Sequence, residues 1–205
     1  MYSTKSGLVL GFHGCDASII NDILLGGLSL EKSTNQYDWL GHDIYFWENS
    51  PSRAIQFATQ ISKMKRAKKK PIKNPSVIGA VIDLGYCLDL FDYRNLIAVK
   101  NTYDFLVDVS EIMGDEMPQN KNVSGNKDLL LRDLDCAVIQ TLHKFRENSK
   151  LTPYDSVRGI FTEGNELYEK SGFREKDHVQ ICVRNPNCIK GYFLPREIDP
   201  NYNIS

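Results

Sequence analysis

The chain has 205 residues, of which 41% are hydrophobic and 25% are charged, and its formal net charge is −1. This composition excludes a disordered chain and predicts a single domain over residues 1–205. The balanced charge gives no overall indication of a nucleic-acid or acidic partner. Five dispersed cysteines without CxxC spacing argue against a metal site and a secreted disulfide framework. Without a signal peptide or a long apolar run, we expect a cytoplasmic protein with no membrane partner.

The first part of the chain alternates short apolar strands with amphipathic helices. Asp16 is a suitable N-cap for the first helix, and Gly26-Gly27 a suitable end. Pro51 suits the first turn of the second helix. In chain order the pattern predicts strand, helix, strand, helix and strand over residues 8–12, 17–25, 44–47, 51 to about 67, and 77–84.

The second part begins with helical periodicity and ends in closely spaced strands. Residues 115–127 are polar and predict a surface loop, and residues 197–205 predict a frayed tail. The remaining pattern predicts helices over residues 93–114 and 128–148, then strands over 157–161, 179–183 and 189–194. This order indicates an α+β chain rather than a doubly wound parallel sheet.

Two short motifs stand on the first two predicted strands. His13-Gly14 leaves the end of the first strand, and Tyr45-Phe46 lies on the second. A helix carrying Arg53 follows the second strand at once. Each motif alone is weak, because a single His-Gly or Tyr-Phe is more often structural than functional.

In this order and spacing, the blocks FHGCD, GHDIYFWENSPSRAIQFA and HVQICVRNPNCIKGYFLP resemble the ADP-ribosyltransferase superfamily, in its diphtheria-toxin and poly(ADP-ribose) polymerase branch. The resemblance covers residues 8–62, 77–84 and 157–195, whereas residues 93–150 form a helical insertion without a counterpart. It implies a split, twisted, mostly antiparallel sheet with surrounding helices. It also implies that NAD is the substrate, that ADP-ribose is transferred and nicotinamide released, and that no metal takes part.

The resemblance assigns NAD-binding roles to individual residues. His13 would bind a ribose, the backbone of Gly14 would hold the nicotinamide amide, and Tyr45 would stack on the nicotinamide ring. We expect the side chains of His13 and Tyr45 to face one cleft from adjacent strands. The predicted NAD-binding set is completed by Phe46, Ser33 and Arg53. The polar loop over residues 32–43 is either an ordinary connection or a lid over NAD or the acceptor.

The catalytic carboxylate is harder to assign. Cleavage of the nicotinamide–ribose bond passes through an oxocarbenium-like centre, which an acidic group nearby stabilises. The best-aligned position carries Gln180, which has no charge. Three alternatives stay open: Glu163 or Glu166 supplies the carboxylate, Gln180 suffices, or the chain binds NAD without transfer. We predict His13, Tyr45, Glu163 and Gln180 as the catalytic set.

The acceptor is suggested by a lysine-rich stretch over residues 63–73. It is either a solvated helix end or a phosphate-binding surface, with Lys65, Arg66, Lys68 and Lys69 as predicted nucleic-acid contacts. Small bacterial members of the superfamily resemble toxins of toxin–antitoxin, toxin–antitoxin–chaperone and anti-phage systems, some of which modify nucleic acid. The resemblance therefore implies a toxin or defence effector with an RNA or DNA acceptor and an antitoxin partner. A non-enzymatic NAD- or ADP-ribose-binding module and an NAD glycohydrolase are the alternatives.

Overall fold

The described part of the chain, residues 7–64, 71–123, 127–197 and 201 of a computed structural model, folds around a seven-stranded sheet. The strands are, in chain order, β1 (Leu8–Asp16), β2 (Ile44–Glu48), β3 (Pro75–Asp83), β4 (Cys87–Asp89), β5 (Asn120–Lys121), β6 (Leu131–Arg132), β7 (Ser156–Phe161), β8 (His178–Val183) and β9 (Ile189–Phe193). The helices are α1 (Ala17–Gly26), α2 (Pro51–Ser62), α3 (Tyr93–Met113) and α4 (Asp133–Asn148). Strands β5 and β6 form a separate two-stranded ribbon.

The main sheet has the order β4-β7-β8-β2-β1-β3-β9. Its neighbouring strands are antiparallel, except that β4 and β7 are parallel. These elements confirm the predicted α+β class with a mostly antiparallel sheet. None of the helices in the described ranges is both long and apolar enough to cross a membrane.

The ladder between β1 and β2 is short. Strand β1 pairs with β3 along its whole length, but with β2 only at Gly11↔Glu48 and Phe12↔Trp47. Beyond Phe12, β1 and β2 separate, so the ladder joins two halves of the sheet, β4-β7-β8-β2 and β1-β3-β9. The predicted NAD-binding residues of both strands lie beside this separation.

The two faces of the sheet carry different helices. Since side chains alternate along a strand, Phe12 and Trp47, which lie directly opposite each other, point to one face. Ala54 of α2 packs against both of them, and Ile139 of α4 packs on the same face farther along the sheet. We call this the α2/α4 face. The other face is covered by α1, through Ile20 and Ile23, and is called the α1 face.

Side-chain caps set the helix starts near the site. Asp16 accepts a hydrogen bond from the Ser18 N–H, which begins α1 as predicted. Ser50 caps α2 by accepting from the Arg53 N–H, with proline in the first turn. These caps fix where α2 begins and therefore place Arg53 in its first turn.

Several predicted boundaries are wrong. Strand β1 continues to Asp16, so His13 and Gly14 lie inside the strand rather than at its end. Helix α4 begins at Asp133 instead of residue 128, because residues 131–132 pair with β5. Helix α2 ends at Ser62 instead of near residue 67.

The sequence pattern does not predict strand β4. It forms because its residues pair in parallel with β7, a strand far along the chain that local sequence does not reveal. The predicted frayed tail falls mostly outside the described residues.

We predict that Gly14→Ala destabilises the protein. A Cβ atom built on Gly14 would lie 2.2 Å from the carbonyl oxygen of Ala54, so α2 could not keep its place on the sheet. Such overpacking costs about 1–3 kcal/mol of unfolding free energy, and chemical denaturation measures it. Gly26→Ala is the matched control, because a Cβ there meets nothing within 4 Å and lies in a helix. Equal stability of the two variants would refute the close packing of α2.

Candidate functional site

Tyr45 lies half-buried on the α2/α4 face of β2, with its hydroxyl fastened to the preceding loop. The hydroxyl donates to the Gly41 carbonyl oxygen at 2.6 Å and accepts from the Leu40 N–H at 2.8 Å. Burial holds the pKa of Tyr45 well above its usual value, so the phenol stays neutral. The Tyr45 hydroxyl therefore connects β2 to residues 40–41.

His13 lies beside the separation of β1 and β2. Its ring is on the α1 face, 6.0 Å from that of Phe46, and its Nδ1 is 2.7 Å from the Tyr45 carbonyl oxygen. Since a carbonyl can only accept, Nδ1 carries the proton. Burial lowers the pKa of His13, which keeps the imidazole neutral. Nε2 is then an acceptor, and it makes no hydrogen bond to any described residue.

The expectation that the side chains of His13 and Tyr45 face one cleft is wrong. Phe12 and Trp47 lie opposite each other and point to the α2/α4 face. Tyr45 is two residues from Trp47 and points to that same face, whereas His13 is one residue from Phe12 and points to the other face. The two residues are instead joined through the His13 ring and the Tyr45 backbone. Their strands are adjacent as predicted.

A buried ion pair unites Arg53 and Glu163, two residues predicted for different roles. Arg53 Nη2 lies 2.9 Å from Glu163 Oε2, and their side chains are only 9% and 11% exposed. Burial raises the pKa of Glu163 above its usual value, and the charges of Arg53 and Lys176 oppose that rise. The carboxylate is thus held at the end of β7, against the first turn of α2.

The loop that follows Glu163 is fixed by Asp128. Its carboxylate accepts from the Gly164 N–H at 2.8 Å and pairs with Arg174 at 2.7 Å. The negative charge of Asp128 also contributes to the raised pKa of Glu163. Glu163 therefore sits in a constrained turn rather than in a free surface loop.

An aromatic cluster of Trp39, Trp47, Phe161 and His178 lies on the α2/α4 face beside this ion pair. The His178 ring centroid is 5.7 to 6.4 Å from those of the other three rings. The Arg53 guanidinium lies 5.9 Å from the Trp47 ring, which joins the cluster to the ion pair. Sequence reasoning missed these rings, although the segment WLGHDIYFW holds both tryptophans of the chain.

Three buried polar atoms in and beside the cluster have no hydrogen-bond partner among the described residues: Trp47 Nε1, Arg53 Nε and His178 Nε2. His178 Nδ1 lies 2.6 Å from the Lys176 carbonyl oxygen, so Nδ1 is the donor and Nε2 the acceptor. Burial lowers the pKa of His178 to about 4, so its ring is neutral near pH 7. Burying a polar group unpartnered costs about 1–3 kcal/mol. The cluster therefore offers two donors and one acceptor to a polar ligand or to water.

Gln180 lies on the same face, half-buried and directly opposite Trp47 in the ladder between β2 and β8. Glu166 differs from Glu163 in being exposed, and its carboxylate accepts from the Lys170 N–H. Of the two glutamates considered for the catalytic carboxylate, the structure places Glu163 at the aromatic cluster.

Phe46 and Ser33, the other predicted NAD contacts, have structural partners. Phe46 is fully buried in the core on the α1 face. Ser33 donates to Asp38, and its backbone pairs with that of Asp43. The indole of Trp39 donates to the Leu130 carbonyl oxygen at 3.0 Å, which connects the loop over residues 32–43 to the residues before α4.

The predicted nucleic-acid contacts Lys65, Arg66, Lys68 and Lys69 lie outside the described residues. Within the part of the chain that is described, no three histidine, cysteine or acidic residues are grouped so that they could hold a metal ion. The candidate site is the buried Arg53–Glu163 ion pair together with the aromatic cluster. Neither family models, curated proteins nor solved structures give a significant match to this chain.

We predict that Arg53→Met destabilises the protein, most strongly near neutral pH. Removing one partner of a buried pair costs about 3–5 kcal/mol, because the other charge is left unpaired. Without Arg53 the pKa of Glu163 rises further. A raised pKa in the folded state means that stability falls as pH rises through it, so the loss should shrink in mild acid as Glu163 takes up a proton.

Urea denaturation at neutral and mildly acidic pH measures this effect. Arg94→Met is the matched control, because Arg94 pairs with Asp92 at an exposed site where solvent screens the charges, so its loss should change the unfolding free energy far less. The double variant Arg53→Met/Glu163→Leu should recover part of the stability, because it leaves neither charge of the pair unpaired. A loss for Arg53→Met no larger than for Arg94→Met would contradict the buried pair.

Proposed function

We propose that the chain transfers ADP-ribose from NAD to a macromolecular acceptor and releases nicotinamide. The observation that carries the proposal is the buried Glu163 carboxylate, held by Arg53 beside the aromatic cluster. Transfer needs a carboxylate near the ribose, flat surfaces for the rings and donors for the oxygens of NAD. All three kinds of group occur together on the α2/α4 face.

The bond that breaks joins the nicotinamide nitrogen to the ribose carbon. Its electron pair leaves with nicotinamide, and positive charge develops at the sugar. In the proposal Glu163 stabilises that charge and takes the proton of the attacking acceptor group. A raised pKa suits a carboxylate for accepting that proton near neutral pH.

Other residues would position the substrate. Gln180, opposite Trp47, can hold a ribose hydroxyl through its amide. The resemblance also gives a ribose hydroxyl to His13, although its ring lies on the α1 face, opposite to Glu163 and Gln180. The resemblance also gives the backbone of Gly14 and the ring of Tyr45 to the nicotinamide, although Gly14 is in addition required for the packing of α2.

The acceptor and the biological setting belong to the same proposal. The lysine-rich residues 63–73 favour RNA or DNA as the acceptor, because such a stretch can bind phosphates. By resemblance, the protein would act as a toxin or defence effector and have an antitoxin partner.

Binding of NAD or ADP-ribose without transfer is the second candidate, and the Arg53–Glu163 pair is the observation in its favour. Arg53 neutralises the carboxylate, and the neutral Gln180 stands where the resemblance expects a glutamate. In that case the pair is structural, and the site holds a ligand that it does not change.

We predict that Glu163→Gln abolishes transfer and changes NAD affinity by only a few-fold, since size and hydrogen bonding are kept while the charge is lost. The assay incubates the protein with NAD labelled on the adenylate and with a cell lysate. Treatment with nuclease or protease then identifies the labelled polymer, and free nicotinamide is measured in parallel. Glu166→Gln is the matched control, because Glu166 is exposed and should keep full activity.

The outcomes separate the candidates. Full transfer by Glu163→Gln would exclude Glu163 as the catalytic carboxylate. Nicotinamide release by the wild-type protein without a labelled polymer indicates a glycohydrolase. NAD binding without either product indicates a binding module, and no binding at all would refute the proposal.

A further inference from the structure

Helix α3 buries only one side. It packs against α4, and the residues it buries are the polar Thr102 and Ser110. A stripe on its opposite side is exposed to solvent along the whole helix. We call it the α3 stripe: Ile97, Asn101, Phe105, Asp108 and Ile112. Spacings of three and four residues place all five on one side of the helix.

The apolar members of the α3 stripe are strongly exposed to solvent. Ile97 is 40% exposed, Phe105 52% and Ile112 85%. Large exposed apolar side chains that recur on one helix face favour packing of that face against another helix.

The stripe has nearly the same pattern in both directions. Phe105 is at its centre, Asn101 and Asp108 flank it, and Ile97 and Ile112 form the two ends. If a second α3 runs antiparallel with its Phe105 at the same level, Ile97 meets Ile112 of the second copy. Asn101 then lies opposite Asp108, whose carboxylate accepts from the amide. This is the self-complementarity that a two-fold interface requires.

The charges along α3 have the same symmetry. Before Phe105 the helix carries Arg94 and Lys100, with Asp104 beside the centre, and after Phe105 it carries Asp108 and Glu111. In the antiparallel arrangement the basic half of each copy lies along the acidic half of the other. In a single copy, Arg94 pairs with the cap residue Asp92, and Lys100 pairs with Asp104. Both ion pairs are exposed, so replacing them by ion pairs between copies costs little.

We propose that α3 is a dimerisation helix, and that two copies of this chain associate through the antiparallel pairing of their α3 stripes. The proposal does not depend on the enzymatic activity. A helix of 21 residues is roughly 30 Å long, so one helix pair gives an interface at the small end of specific complexes. The dimer should therefore be weak and depend on protein concentration.

Sedimentation velocity of the full chain over a wide concentration range tests the proposal. The wild-type protein should show a monomer–dimer equilibrium. Phe105→Asp should raise the Kd of the dimer by at least about tenfold, since Phe105 would be the central contact between the two copies. Leu25→Asp is the matched control, because Leu25 is also a highly exposed apolar residue but lies on α1. The dimer of this variant should have the same Kd as the wild-type dimer. Circular dichroism confirms that each variant is folded.

An exchange of charges distinguishes specific pairing of two α3 helices from nonspecific hydrophobic association. Lys100→Glu should weaken the dimer, and adding Glu111→Lys should restore it. Residues 100 and 111 are too far apart to meet within one helix, so rescue requires contact between copies. A monomer at every concentration, a dimer that survives Phe105→Asp, or α3 stripe residues that affect only binding to a different macromolecule would overturn the proposal.

Discussion

The ion pair between Arg53 and Glu163 joins side chains that are 110 residues apart in the chain. It can form only if the first turn of α2 meets the end of β7, so the helix cap at Ser50, the packing of α2 on Gly14 and the position of β7 must all be right. Its charge is buried, and breaking it is costly. The pair thereby fixes the one acidic group that the proposed chemistry needs.

The short ladder between β1 and β2 decides which residues share a face. With Phe12 opposite Trp47, Tyr45 and Gln180 point toward α2 and α4, whereas His13 points toward α1. A shift of one residue would reverse this assignment for the whole of β2. The register therefore brings Trp47 and His178 to the ion pair, and leaves the His13 ring beside Phe46 with a hydrogen bond to the Tyr45 carbonyl oxygen.

Local pattern was enough to predict much of the fold. Apolar runs and caps located β1, β2, β3 and the starts of α1 and α2, because these signals lie within a few residues of each element. Strand β4 and the true start of α4 depend on distant partners in β7 and β5, and they were missed. In the site, Arg53 and Glu163 were both named from the sequence, but not as a pair. Trp47 and His178 were missed because alternation and register, rather than a motif, place them there.

Both tryptophans of the chain, Trp39 and Trp47, lie in the aromatic cluster, so their fluorescence reports on the candidate site. Titration with NAD, with calorimetry of the same samples to detect binding anywhere on the protein, is the most direct test that NAD occupies this site. We expect a saturable change in tryptophan emission with the same midpoint as the calorimetric binding. Calorimetric binding without a change in emission, or no binding by either method, would contradict it.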